Sequence, residues 1–349
     1  MKTLRLAVEA AHLDTAQAQE TLERAAAILR GGGLVAFPTE TVYGLGANAL
    51  DESAVARIFA AKERPKWDPV IVHIANEAAL AELTTGFHER ARKLMKAYWP
   101  GPLTLLLPRS EVVPDAVTAG RPLVGVRMPA HPVALELIGR AGVPVAAPSA
   151  NRFGHISPTS AEHVLADLDG RIDALLDAGR TETGVESTVL DPCAEPMIVY
   201  RPGAVTLEQI RRIAGPVGLY RDGGVAKPEP PEALPSPGVG LRHYAPRARL
   251  VLVDSELGEL AARLTEAACG LAAERVGVML PAEVSAPDGV AAVFAWGQWA
   301  APDKMAHALY AGLRELDDLG CTVILCPLPP AEGIGMAIRD RLKKAGTKG

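Results

Sequence analysis

The chain has 349 residues, enough for two domains, and its 48% hydrophobic content supports sizeable cores and argues against disorder. Lys+Arg (36) against Asp+Glu (41) gives a net charge of −5, which excludes a strongly basic nucleic-acid coat or a polybasic membrane binder. The sequence offers no apolar run near the roughly 18 residues of a membrane helix, and Glu9 comes too early for a signal-peptide core.

In chain order, apolar spacing predicts a helix over 15–29, stopped by Gly31-Gly32-Gly33, then a buried strand over 34–37 closed by Pro38. A helix follows from 51 to about 62, a strand over 70–74, helices over 77–83 and 88–97, and a strand over 103–107. Further strands are expected at 123–127, 143–147, 174–176, 187–190 and 198–200, with a helix over 161–168. From 216 to 246 the pattern dissolves into a segment carrying Pro228, Pro230, Pro231, Pro235 and Pro237, the composition of a stiff extended linker. Beyond it, strands at 250–253, 275–280, 291–295 and 322–325 alternate with helices at 257–274, 303–317 and 334–344. Such alternation favours a small three-layer α/β domain with a parallel sheet. The expected organisation is an α/β domain over 1–212, a linker over 213–247 and a second α/β domain over 248–349. Residues 1–212 carry 22 basic and 25 acidic side chains, so the first domain is not a basic module and tight charge-driven RNA binding is not expected of it. The four cysteines (Cys193, Cys269, Cys321 and Cys326) form no C-x-x-C pair, so reduced thiols and a cytoplasmic location are the expectation.

The sequence lacks a G-x-x-x-x-G-K-[ST] phosphate loop, an H-E-x-x-H pair, a G-x-S-x-G elbow and any Cys/His cluster at metal spacing. Gly44-Leu45-Gly46-Ala47-Asn48-Ala49 fits a dinucleotide fingerprint, but no helix opens directly behind it, so glycines in a tight turn are the plainer reading. The chemistry-bearing residues lie in short polar segments beside strand ends. Pro38-Thr39-Glu40-Thr41 offers hydroxyls and a carboxylate, or an ordinary loop exit. Lys62, Arg64 and Lys66 cluster where Pro65 ends a helix; they suit the helix dipole and equally form a fork for polyphosphate. His73 lies within a strand, where a satisfied core histidine is the common case, and Arg127 ends a strand as a carboxylate clamp or a structural ion pair. Ser149, Asn151, Ser157 and Thr159 offer phosphate donors, with helix capping by Ser157 or Thr159 as the alternative.

Taken in order, the segments PTETVYGLG (38–46), AKERP (61–65), PGPLT (100–104), RMPAHP (127–132), APSAN (147–151), SPT (157–159), ESTV (186–189) and RPGA (201–204) resemble the threonylcarbamoyl-AMP synthase family. SPG…RHYAP (236–246) and GIGMAIRDRLKKA (333–345) are similar to its two-domain form, so the resemblance spans nearly the whole chain. It implies a twisted, concave YrdC-like catalytic domain followed by a Rossmann-like domain. The implied reaction condenses L-threonine, bicarbonate or CO2 and ATP into threonylcarbamoyl-AMP and pyrophosphate, and a separate transferase then modifies tRNA. Carried over by position, Thr41, His73, Arg127, Ala147 and Ser187 contact threonine. Lys62 and Arg64 face phosphates and carbamate as electrostatic catalytic residues, while Leu123, Ser149, Asn151, Ser157 and Arg201 line the nucleotide site. Two positions of that site depart from the family pattern: Asp68 replaces the usual Asn, an anion needing Mg2+ or Lys66 to offset it, and Leu241 replaces a Tyr. The implied cofactor is Mg2+ carried by ATP, with no protein metal ligand. The proline-rich linker is expected to fold over the site as a lid. The competing readings are a double-stranded RNA or tRNA-binding module, a related carbamoyl-adenylate enzyme with another acceptor, and a nicotinamide enzyme.

Overall fold

The computed structural model describes residues 2–220, 233–236, 243–271 and 273–347. The chain divides into two compact units: Met1–Phe153, Ser157–Glu182 and Glu186–Gly240 form the first, and Gly154–Ile156, Thr183–Val185 and Leu241–Gly349 the second.

The first unit opens with β1 (Leu4–Ala7), α1 (Ala16–Arg30), β2 (Val35–Pro38), β3 (Tyr43–Asn48) and α2 (Glu52–Lys62). It continues through β4 (Ile71–His73), α3 (Leu80–Leu83), α4 (Glu89–Tyr98), β5 (Leu103–Pro108), α5 (Asp115–Thr118), β6 (Leu123–Arg127), α6 (Pro132–Ala141) and β7 (Val145–Ala146). It closes with α7 (Ala161–Leu168), β8 (Ala174–Asp177), β9 (Thr188–Asp191), β10 (Met197–Arg201), α8 (Leu207–Ala214) and β11 (Val217–Leu219). The described strands form one mixed sheet in the order β1-β8-β2-β3-β7-β4-β6-β5-β9-β10-β11, so the unit is α/β as the sequence suggests. The second unit is a parallel sheet, β12 (Arg249–Val253), β15 (Val323–Pro327), β13 (Val276–Pro281) and β14 (Ala292–Gly297) in that order. Its helices are α9 (Leu257–Cys269), α10 (Pro302–Asp318) and α11 (Gly335–Gly346).

Local chemistry explains why these elements stop where they do. Thr15 caps α1 by accepting from Ala18 N at 3.3 Å, and the helix buries Leu22, Ala25, Ala26 and Leu29 completely. Each such leucine is worth about 1.5–3 kcal/mol of burial. Asp51 caps α2, and the helix ends because Glu63 adopts the left-handed conformation (φ 55°) just before Pro65. That stop fixes Lys62 in the last turn and throws Arg64 beyond it.

Several expectations need correction. Gly44 and Gly46 are not in a tight turn: they lie in β3, paired antiparallel with β2, and the turn is at 39–42. Gly46 is small because a Cβ there would stand 2.8 Å from both Phe37 and Val145, so close packing across the sheet selects the glycine. Residues placed in the linker from 213 onward begin with the end of α8 and with β11, which pairs in parallel with β10. Helix α9 stops at Cys269, capped by Gly270, short of residue 274. Strand β1 and helices α5, α6 and α8 were not expected. Pro132 reads as a breaker but fills the first turn of α6, where its missing N–H costs nothing. Thr206 and Gln209 form a reciprocal capping box at the start of α8, a T-x-x-Q signal that was readable. Neither Ser157 nor Thr159 caps α7; Ser160 does, accepting from His163 N.

Candidate functional site

The polar segments gather on the central strands of the first sheet. His73 and Arg127 are direct partners in the parallel pairing of β4 with β6, and His73 also faces Val145 across β7. Gly44 bridges to Ser149, and Leu103 of β5 pairs with Thr188 of β9. Side chains alternate along a strand, so Ile71 and His73 share one face, as do Leu123, Gly125 and Arg127, and Thr104 and Leu106. A Cβ on Gly125 would meet Thr104, Leu106 and Ile71, which joins these three sets on the same side of the sheet. That side carries a small apolar cluster of Ile71, Leu106 and Val189 with Leu123 and Tyr200 packed against it. The opposite side carries the main core, including Val72, Leu105, Val124 and Val126.

Arg127 is 4% exposed, and its guanidinium is held on three sides. Nε donates to Gly101 O at 3.2 Å, Nη1 donates to Thr41 Oγ1 at 3.0 Å, and Nη2 lies 2.7 Å from a Glu40 carboxylate oxygen. Thr41 is aimed by its turn: Thr39 Oγ1 donates to Val42 O at 2.7 Å and accepts from the amides of Thr41 and Val42. His73 packs edge-on against Phe37, with ring centroids 6.3 Å apart. Burial first, and then the charge of Arg127, push its pKa down to about 3, so it is a neutral imidazole at physiological pH.

The second cation group is built at the end of α2. Lys62 is 1% exposed; its ammonium donates to Ser149 O at 2.6 Å and to Asn151 O, which leaves one proton uncommitted. Burial, followed by the nearby charge of Arg64, holds its pKa well below the ordinary lysine range. Arg64 donates from Nε to Asp68 O at 3.1 Å and from Nη2 to Pro69 O at 2.8 Å. The carboxylate of Asp68 lies 2.9 Å from the same Nη2, and both side chains are buried. Asp68 thus pairs with Arg64; Lys66, expected to offset it, is exposed. Burial raises the Asp68 pKa against the opposing pull of Arg64, Lys62 and Arg201.

Arg201 is buried, and its Nε and Nη2 each donate at 3.0 Å to Ser187, on the carbonyl and the hydroxyl. Ser187 is fully buried and shares a 2.8 Å hydrogen bond with Thr104. Gly203 lets this corner close, since a Cβ there would collide with Thr188 N and Glu186 O at 2.3 and 2.5 Å. Ser157 is committed to Glu186, donating at 2.6 Å; Asn151 donates to the carbonyl of Arg152; Ala147 is buried, with its N–H on Ile71 O. Leu123 is half-buried at the start of β6. Leu241 and most of the linker lie outside the described residues. The described piece, residues 233–236, is tied to the first unit: Leu234 N donates to Trp67 O at 2.9 Å, and Arg121 donates to Ala233 O at 2.6 Å. An open depression of about 700 Å³ lined by Glu9, His12, Thr15 and Asp177 lies beside β1 and β8 and contains none of the motif residues.

Glu40, Thr104 and Glu186 belong to this constellation; the sequence offered Glu40 and Glu186 only as members of polar segments and gave none of the three a role. Glu40 had a signal: an acid set between Pro38 and a long apolar stretch is expensive to bury unless a cation waits for it. Among the described residues, no group of three or more His, Cys, Asp or Glu is arranged to hold a metal ion, and no helix is long and apolar enough to cross a membrane.

Buried cations, hydroxyls and carbonyls gathered at strand ends of an α/β sheet are the side-chain and backbone types that suit anionic ligands. A family model described as "Telomere recombination", for the Sua5, YciO and YrdC group, matches residues 27–203. A second, described as "Threonylcarbamoyl-AMP synthase, C-terminal domain", matches residues 205–347. Threonylcarbamoyl-AMP synthase of Bacillus subtilis is 43% identical over 347 residues, 99% of this chain and 98% of that protein. The Pyrococcus abyssi synthase is 43% identical over 323 residues, 92% of each chain. The crystal structure of P. abyssi Sua5 complexed with L-threonine superposes with a TM-score of 0.87 at 40% identity, covering 99% of this chain and 98% of that one. The chain belongs to the two-domain threonylcarbamoyl-AMP synthase family.

Proposed function

We propose that this chain is an L-threonylcarbamoyladenylate synthase, a nucleotidyltransferase that supplies the activated group for threonylcarbamoyladenosine in tRNA. L-Threonine and bicarbonate, or CO2, yield the carbamate, which attacks the α-phosphate of ATP; pyrophosphate leaves and threonylcarbamoyl-AMP remains. The observation that carries the mechanism is the pair of buried cation groups in the first unit, Arg127 faced by Thr41 and Glu40 and Lys62 held on the carbonyls of Ser149 and Asn151. Two such groups suit a reaction joining two anions.

In this reading Arg127 receives the threonine carboxylate, with Thr41, His73, Ala147 and Ser187 around the side chain and amino group. Lys62 offers its uncommitted proton, and Arg64 its remaining Nη1 edge, to phosphate and carbamate oxygens. The backbone of Leu123, together with Ser149, Asn151, Ser157 and Arg201, lines the nucleotide, with Asp68 beside it; Leu241, carried over from the family pattern, lies outside the described residues. A carbamate is already anionic, so the protein need only orient it in line and neutralise charge on the phosphates. The neutral His73 suits this, since it can hydrogen-bond without adding a charge that moves with pH. Mg2+ fits as the counterion of ATP, held by phosphate oxygens and water, because the carboxylate nearest the cations, Asp68, is already committed to Arg64. The partners are the three small-molecule substrates and a downstream tRNA threonylcarbamoyltransferase. The lid role of the linker rests on its described piece lying against Trp67, next to Asp68.

The test is pyrophosphate release from ATP with threonine and bicarbonate supplied together and singly. Release that needs both supports the reading. Release indifferent to threonine refutes it, and strong RNA binding with a steep salt slope would then favour the RNA-module alternative.

A further inference from the structure

The roles above leave Glu40 unused. It sits in the turn between β2 and β3 with its side chain 9% exposed, against 5% for its partner Arg127. The 2.7 Å approach to Arg127 Nη2 brings the two charges together, yet both Glu40 oxygens and that Nη2 lack hydrogen-bond geometry to any group. Nε and Nη1 of Arg127 already donate to Gly101 and Thr41, whereas Nη2 donates to no described group. An incoming carboxylate that takes Nη2 meets the nitrogen that Glu40 now faces.

An α-amino acid brings a carboxylate and an ammonium on one carbon. Its carboxylate on Nη2 sets its ammonium against the displaced Glu40, and the buried pair becomes a four-charge ring with every charge opposed. The cost of uncovering either buried charge is avoided only by a ligand carrying both signs.

We propose that Glu40 is a catalytic residue that binds the substrate ammonium and accepts the proton that must leave before nitrogen can bond to carbon. The assignment rests on the synthase reading. One N–H proton passes to a Glu40 oxygen; the freed nitrogen pair forms the N–C bond to CO2 as one C–O pair shifts onto oxygen. The second nitrogen proton leaves to water, giving the carbamate anion, and Glu40 later returns its proton to solvent. The charged and titratable groups facing Glu40 are Arg127 on β6 and His131 at the cap of α6, with Glu182 acting on the same His131. Burial lowers the His131 pKa, against the opposing pull of Glu40 and Glu182.

The full chain carrying Glu40→Gln tests this. Threonine and its amine-free analogue 2,3-dihydroxybutyrate are each titrated calorimetrically, with ATP as the control for folding. Threonine affinity is expected to fall at least about tenfold, dihydroxybutyrate affinity to hold or rise, and ATP affinity to hold. The threonine-dependent rate deficit should also shrink from pH 7 to pH 9, as free amine becomes available without a base. Equal loss of both acids would assign Glu40 a purely structural part and overturn the proposal, as would unchanged threonine binding. If the unsubstituted protein binds no threonine, the synthase reading itself fails, a separate outcome. Should Glu40→Gln not fold, as failed ATP binding would reveal, Glu40→Asp replaces it; a pH-independent rate equal to that of the unsubstituted protein then overturns the proposal.

Discussion

The two cation groups of the site are held in opposite ways. Lys62 leans on neutral carbonyls of Ser149 and Asn151, keeps one proton free and has a depressed pKa. Arg127 meets a carboxylate and has its three nitrogens directed at Gly101, Thr41 and Glu40. An ammonium on neutral carbonyl acceptors meets an incoming anion unopposed, whereas a guanidinium beside a carboxylate must exchange one anion for another. The first arrangement suits highly charged phosphates; the second suits a zwitterion.

Substitutions can separate the two. Lys62→Ala removes a cation from the phosphate end and should slow turnover by roughly 10²–10³-fold with a nearly unchanged threonine requirement. An equal rise in the threonine requirement would erase the distinction between the ends. Arg127→Ala should do the reverse, raising the threonine requirement by about 10–100-fold, the worth of a charge-assisted hydrogen bond, with ATP binding kept. Steady-state kinetics with each substrate varied in turn decides between these patterns.

A subtler difference lies in protons. Lys62 has a lowered pKa in the free protein, and bound phosphate favours its charged form, so ATP binding should take up a fraction of a proton. The sign follows directly: affinity for ATP weakens as pH rises through the interval between the depressed free pKa and the higher bound one. Calorimetry in buffers of different ionisation heat, repeated across a pH series, measures the uptake, and Lys62→Ala should abolish it. Threonine binding should show no uptake assignable to Arg127. An uptake that survives in Lys62→Ala would place the titrating group elsewhere.

Much of the fold was legible because burial and period agree. Helix α1 and strands β2, β6 and β12 follow apolar spacing that no side-chain chemistry disturbs. Strand β3 was hidden because glycines chosen for close sheet packing look like a turn, and α6 because a proline acceptable in a first turn looks like a stop. Cations and hydroxyls beside strand ends were legible, and the structure pairs His73 with Arg127 and Arg64 with Asp68. Their partners were not. Whether Asp68 would meet Lys66 or Arg64 depends on how a helix ends at Glu63, and whether Arg127 would be free or faced by Glu40 depends on contacts across 87 residues of chain that no local pattern records.

The account turns on one hollow in which a threonine-derived anion meets ATP. Pyrophosphate release with ATP, threonine and bicarbonate, each omitted in turn, tests that most directly. The account predicts release only with all three together, and release that persists without threonine or without bicarbonate would contradict it.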